Sequence, residues 1–110
     1  MAIYHVVLFK FKVLVPQDEV KAACTRMLAL GDHCIHPTSQ KPYVKVIGGG
    51  KDSSPEGHQH GMTHVFISQL ENDEDRKYYL ETDPAHLEFI ESTRDILDRV
   101  QVVDFTPGEF

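Results

Sequence analysis

The chain predicts an α+β domain in the order β-α-β-β-α-(α)-β, with a four-stranded antiparallel sheet and helices on one face. Three observations predict it. Residues Ile3 to Phe11 alternate like a strand yet are apolar on both faces. Two stretches, one from Pro16 and one from Asn72, carry apolar residues at helical steps behind helix-start signals. Two strand-like runs lie between those stretches and one follows them, which is the split βαβ, ferredoxin-like order.

The first strand places Ile3, His5, Val7, Phe9 and Phe11 on one face and Tyr4, Val6, Leu8 and Lys10 on the other. A strand apolar on both sides expects cover on each. Helices can supply one cover and a second subunit the other. Pro16 to about Leu30 reads as the first helix. Val20, Ala23, Met27 and Leu30 form its apolar stripe, Cys24 and Leu28 flank it, and Gly31 suits its stop. Asp32 to Pro42 is polar with two prolines and reads as loop. Tyr43 to Ile47 is a short strand that Gly48, Gly49 and Gly50 end. Lys51 to Gly61 is polar and rich in Gly, Ser and His, so a mobile loop is expected. Met62 to Leu70 is the third strand.

Asn72 is an N-cap, and Asp73, Glu74 and Asp75 place negative charge in the following turn. This helix carries Tyr78, Tyr79 and Leu80 and ends near Glu81 or Thr82. Asp83 then supplies a capping carboxylate and Pro84 the first residue of another helix. That helix runs to about Asp98, with His86, Phe89, Ile90, Thr93 and Leu97 as its inner stripe. Val100 to Phe105 is the last strand.

The 110 residues suit one domain, 1–110, and 41% apolar residues suffice for one core. A core this small gains from a partner. The formal charge of -6 disfavours nucleic acid and anionic membrane surfaces as partners. No apolar run approaches the roughly 20 residues of a spanning helix. The start, Met1 to His5, lacks a basic segment followed by an apolar one, so no signal peptide is expected and a cytoplasmic location is the default. Cys24 and Cys34 are then expected as reduced thiols.

Chemistry concentrates on histidine. With Asp83 as cap and Pro84 first in the helix, His86 occupies the third helical position. Partial positive charge at a helix N-terminus disfavours imidazolium and favours the neutral ring. A neutral imidazole can take a proton from a carbon acid flanked by two carbonyls. Free N–H groups of the same turn can hold an enolate or carboxylate oxygen. The plainer alternative is that His86 packs the helix start and bonds a backbone carbonyl. His5 and His64, each in an apolar strand, read as core residues or as parts of a polar cluster facing the same cavity as His86. Val7, Phe9, Met27, Phe66, Phe89 and Ile90 would be the apolar wall of that pocket. Tyr78 and Tyr79 point about 100° apart on a helix, so at most one faces the core directly.

No metal is expected. His58-Gln59-His60 and His33-Cys34-Ile35-His36 are the close groupings, and neither has zinc-finger or zincin spacing. The glycine triplet lacks the helix and lysine of a phosphate-binding loop. Asp104 could pair across a barrel.

Several stretches together resemble the stress-responsive α/β barrel, or Dabb, family. They are Tyr4-His5-Val6-Val7-Leu8-Phe9-Lys10-Phe11-Lys12, Gly61-Met62-Thr63-His64-Val65-Phe66, Tyr79-Leu80-Glu81-Thr82-Asp83-Pro84-Ala85-His86 and Val103-Asp104-Phe105-Thr106-Pro107-Gly108. The resemblance implies a homodimer whose two sheets pack face to face into a dimeric α+β barrel, with the helices outside. Family members include a plant olivetolic acid cyclase, which folds a linear poly-β-ketone without cofactor in a pocket between sheet and helices. The resemblance puts the general base on His86, a helping tyrosine on Tyr79, and the pocket-lining histidines on His5 and His64. In the cyclase the tyrosine stands six residues before the histidine. Here Leu80 occupies that position and Tyr79 stands seven before, so Tyr79 reaches the pocket only if the turn between the helices absorbs one residue.

The expected function is a cofactor-independent cyclase or related proton-transfer enzyme acting on a small polyketide or β-dicarbonyl compound. The alternative is a non-catalytic stress-responsive barrel that holds an apolar ligand. A cavity of several hundred cubic ångströms opening beside His86 favours the first. A solid core with His86 bonded to backbone favours the second.

Overall fold

A computed structural model describes residues 2–110. Among these, the elements are β1 (Ile3–Phe11), α1 (Gln17–His33), β2 (Lys45–Lys51), β3 (His64–Leu70), α2 (Asp73–Glu81), α3 (Pro84–Thr93) and β4 (Leu97–Phe105). The strands form one antiparallel sheet ordered β2-β3-β1-β4. The fold is the expected ferredoxin-like one.

Central position explains the two-faced apolar character of β1. Its odd-numbered residues, Ile3 to Phe11, are buried beneath the helices; Tyr4, Val6, Leu8 and Lys10 are half-buried on the open face. Phe9 is the centre of the core, its ring 5.4 Å from that of Phe66, 5.9 Å from Phe11 and 6.4 Å from Phe89. The predicted stripe of α1, Val20, Ala23, Met27 and Leu30, is buried against it.

Three element ends differ from expectation for reasons the structure shows. α1 does not stop at Gly31 but runs to His33. A Cβ on Gly31 would lie 3.1 Å from Val46 Cγ2, so this glycine serves close approach of helix to strand rather than helix termination. The glycine triplet does not end β2, which runs from Lys45 through Lys51. Gly49 stands directly opposite Phe66, whose ring covers it. A Cβ there would meet Phe66 Cδ1 at 2.2 Å and the Val65 carbonyl oxygen at 2.8 Å. Gly49→Ala is therefore expected to cost about 1–3 kcal/mol as overpacking, read as a lower urea midpoint at unchanged slope. Finally, α3 ends at Thr93 rather than near Asp98. Leu97 and Asp98 belong to β4, where Leu97 pairs with Phe11. Ladder bonding to β1 outweighs the helical spacing of Leu97.

The 52–61 segment, expected as a mobile loop, is tied at several points. Asp52 N–H donates to the Thr63 carbonyl at 2.7 Å, the Gln59 amide donates to the Asp52 carboxylate, and Arg99 donates to the His60 carbonyl at 3.1 Å.

Candidate functional site

Between β1 and β4 on one side and α1 and α3 on the other lies a cleft of about 680 Å³. Its wall is mainly apolar: Val7 and Phe9 from β1, Met27 from α1, Phe89 and Ile90 from α3, and Val100 and Val102 from β4. The odd side of β1 supplies the floor because Val7 pairs with Val102, which puts both on the helix face. Two histidines, His5 and His86, stand among these residues.

His86 is placed by its helix start. Asp83 caps α3, accepting from Ala85 N–H at 2.9 Å, with Pro84 next. Asp83 is almost wholly buried, and its second oxygen accepts from the Tyr43 hydroxyl at 2.6 Å. The His86 ring stacks on the buried Tyr79 ring with centroids 3.9 Å apart. Its Nδ1 lies 2.8 Å from the Tyr79 carbonyl oxygen. A carbonyl only accepts, so Nδ1 donates and the neutral ring keeps its lone pair on Nε2. Burial lowers the His86 pKa and nearby His5 adds to the effect, while the Tyr79 carbonyl and Asp83 oppose it. Burial is thus the main cause that favours the neutral ring.

The lowered value has a consequence for stability. The unfolded chain takes up a proton near pH 6.5 that the folded chain refuses, so stability is full above that pH and falls as the solution is acidified below it. His64 adds in the same sense, its pKa lowered by burial and by Lys51. His86→Gln is expected to flatten this acid limb, measured as Tm from pH 7 to pH 5.

His5 is held from the sheet. It pairs with Asp104 in the β1–β4 register, and its Nδ1 donates to Asp104 Oδ1 at 2.7 Å. Asp104 Oδ2 accepts from Arg76 Nη1 at 3.3 Å. Asp104 therefore lies on the helix face and pairs with His5 on the neighbouring strand of its own sheet, rather than across a barrel as expected. The His5 and Tyr79 rings are nearly perpendicular, with centroids 5.8 Å apart. Tyr79 is the shared support of both histidines.

Of the residues expected at the pocket, His5, Val7, Phe9, Met27, His86, Phe89 and Ile90 line the cleft. His64 does not; its ring packs edge-on against Phe11 at 5.1 Å and its Nδ1 is bonded to Thr63 Oγ1, at the far end of the sheet from His5. Phe66 is core beneath Gly49 rather than cleft wall. Tyr79 lies under His86 instead of at the surface of the cleft, while Tyr78 turns to Tyr43. Burial, Cys34 and Asp83 push the Tyr79 phenol upward, so it stays protonated. Sequence reasoning missed the β4 wall and the Asp104 partner of His5. Alternation along Val100, Val102 and Asp104 was the available signal, but only the register says that this set meets His5 and Val7.

A family model described as Stress responsive A/B Barrel Domain matches residues 3–107. The chain belongs to this family. Among curated proteins, the stress-response A/B barrel domain-containing protein HS1 of Arabidopsis thaliana is 39% identical over 64 residues, a match covering 58% of this chain and 58% of that relative's length. A crystal structure from Arabidopsis thaliana superposes with a TM-score of 0.80 at 30% identity, covering 98% of this chain and 97% of the other. The hydroxynitrile lyase of Passiflora edulis has the same TM-score of 0.80 at 20% identity, over 99% of this chain and 96% of its own. At that identity the likeness speaks for the Dabb fold alone. No helix among the described residues is long and apolar enough to cross a membrane, and no group of metal-binding side chains occurs among them.

Proposed function

We propose that this Dabb domain is a cofactor-independent proton-transfer enzyme, of cyclase type, acting on a small polyketide or β-dicarbonyl compound in the cleft. One observation carries the reading: His86 is tied through Nδ1 to a backbone carbonyl, which leaves Nε2 as the ring's free base beside a mainly apolar cavity of about 680 Å³. A base of this kind contributes typically 10²–10⁴-fold. Apolar walls suit the chain of such a substrate, and the neutral ring suits a carbon acid with two flanking carbonyls. Tyr79 supports the ring by stacking.

The test is incubation of the protein with a polyketide synthase and its acyl substrates. A ring product that depends on the protein supports the reading. The same open products with and without it would leave the second reading, a holder of apolar molecules, which the mainly apolar wall of the cleft supports. Displacement of an environment-sensitive apolar dye from the cleft would then be its only activity.

The working form is a homodimer closed over the open sheet face. There Tyr4 stacks on Phe105 at 5.1 Å, and Val6 has Ile67 and Val103 as its neighbours. Val103 and Phe105 are about half exposed in the single chain, an apolar surface that a second sheet would cover. Val103→Asp is expected to give monomers in light scattering at micromolar concentration. The cytoplasm, which keeps the free thiols of Cys24 and Cys34 reduced, is the proposed location.

A further inference from the structure

We propose that His5 is a second catalytic residue, the proton donor to substrate oxygen, and that Asp104 is its positioning residue. The proposal rests on the proton-transfer reading and assigns the partner that His86 needs. The two histidines line one cleft and touch one support, Tyr79. Their outer contacts differ in kind. His86 Nδ1 meets a neutral carbonyl, whereas His5 Nδ1 meets a carboxylate at 2.7 Å. A carboxylate on the far nitrogen fixes the ring's orientation and offsets the charge of its doubly protonated form. A backbone carbonyl offers much less of the second effect. Arg76 in turn holds Asp104 from α2, donating to it and also to Asp73.

The division of labour follows. His86 Nε2 takes the proton from the substrate carbon. The C–H electron pair becomes the C=C bond, the C=O π pair moves to oxygen, and that oxygen takes the proton from His5 Nε2. When the enol carbon then bonds to a second carbonyl carbon, the enol hydroxyl returns its proton to His5 and His86 delivers its own to the new alkoxide. Both rings end as they began. No oxidant, metal or added proton enters. The substrate class is therefore a compound with two carbonyls, one enolised and one attacked.

Exchange of the C2 hydrogens of ethyl acetoacetate in D2O, followed by proton NMR, tests the pair. The wild type is expected to speed exchange, and His5→Gln to lower kcat at least about a hundredfold. Asp104→Asn should lower kcat about tenfold or more with KM within twofold, and Asp104→Glu should restore part of the loss. The hydrogen-bonded Nδ1 proton signal of His5 should vanish in Asp104→Asn. Folded His5→Gln with wild-type kcat, alongside inactive His86→Ala, would overturn this proposal and leave the reading above standing. Should His5→Gln fail to fold, Asp104→Asn decides: unchanged kcat overturns the role. A wild type no faster than buffer would remove both.

Discussion

Replacing His86 with alanine is expected to reduce C–H exchange of a β-dicarbonyl compound by about 10²–10⁴-fold while far-UV circular dichroism stays that of the wild type. The expectation follows from where the ring's two nitrogens point. Nδ1 is engaged by the Tyr79 carbonyl, so its removal leaves one buried backbone acceptor without its partner. Nε2 is the atom left to act on a guest. His86→Gln is the matching control, since it restores volume and a polar end but holds no proton-accepting nitrogen. It should be as inactive as alanine. Activity in either variant within a few-fold of wild type would remove the base from His86.

Asp83→Ala is expected to damage the fold around the cleft strongly, at about 3 kcal/mol. Two losses combine. The cap of α3 disappears, typically about 1 kcal/mol. The buried Tyr43 hydroxyl also loses its acceptor, which costs about 1–3 kcal/mol for a donor left unmade. At about 4 °C or more per kcal/mol for a domain of this size, Tm should fall by more than about 10 °C. Asp83→Asn, which keeps an acceptor for the Ala85 N–H and sets an amide donor against the Tyr43 hydroxyl oxygen, should recover part of the loss. Asp83 also acts on its neighbours' acidity. Burial, with Asp83 adding to it, pushes the Cys34 thiol up to about 12, and burial followed by the Asp83 hydrogen bond raises the Tyr43 phenol as well. Both groups remain protonated at neutral pH and serve as partners of a buried carboxylate rather than as nucleophiles. A Tm within a few degrees of wild type for Asp83→Ala would show that the cap and the Tyr43 bond contribute little.

Much of this was legible in the chain because local chemistry and packing agree. Asn72 and Asp83 cap the helices they were expected to cap, through Asp75 N–H and Ala85 N–H. The two-faced pattern of β1 marked a strand that needs cover on both faces, and its odd-numbered residues are buried beneath the helices. The His86 turn was legible for the same reason: cap, proline and histidine lie within four residues. Legibility failed where a role depends on pairing across the sheet. Gly48 to Gly50 read as a break because a glycine run has weak strand preference, yet Phe66 supplies the covering ring that makes Gly49 a fit. Leu97 read as helix because its spacing from Thr93 is helical, and the ladder with Phe11 decided otherwise. His64 and His5 looked equivalent as strand histidines. The antiparallel register of β1 and β3 pairs Phe9 with His64 and sends it to the opposite end of the sheet from His5. Asp104 gained a partner only through a separation of 99 residues.

The most direct test is the state of the His86 ring itself, read by long-range 15N–1H correlation of uniformly labelled protein at pH 7. A single neutral tautomer is expected, with the proton on Nδ1 and a bare Nε2 whose signal moves when a small apolar carbonyl compound fills the cleft. A proton on Nε2, or a ring indifferent to every such compound, would contradict the account.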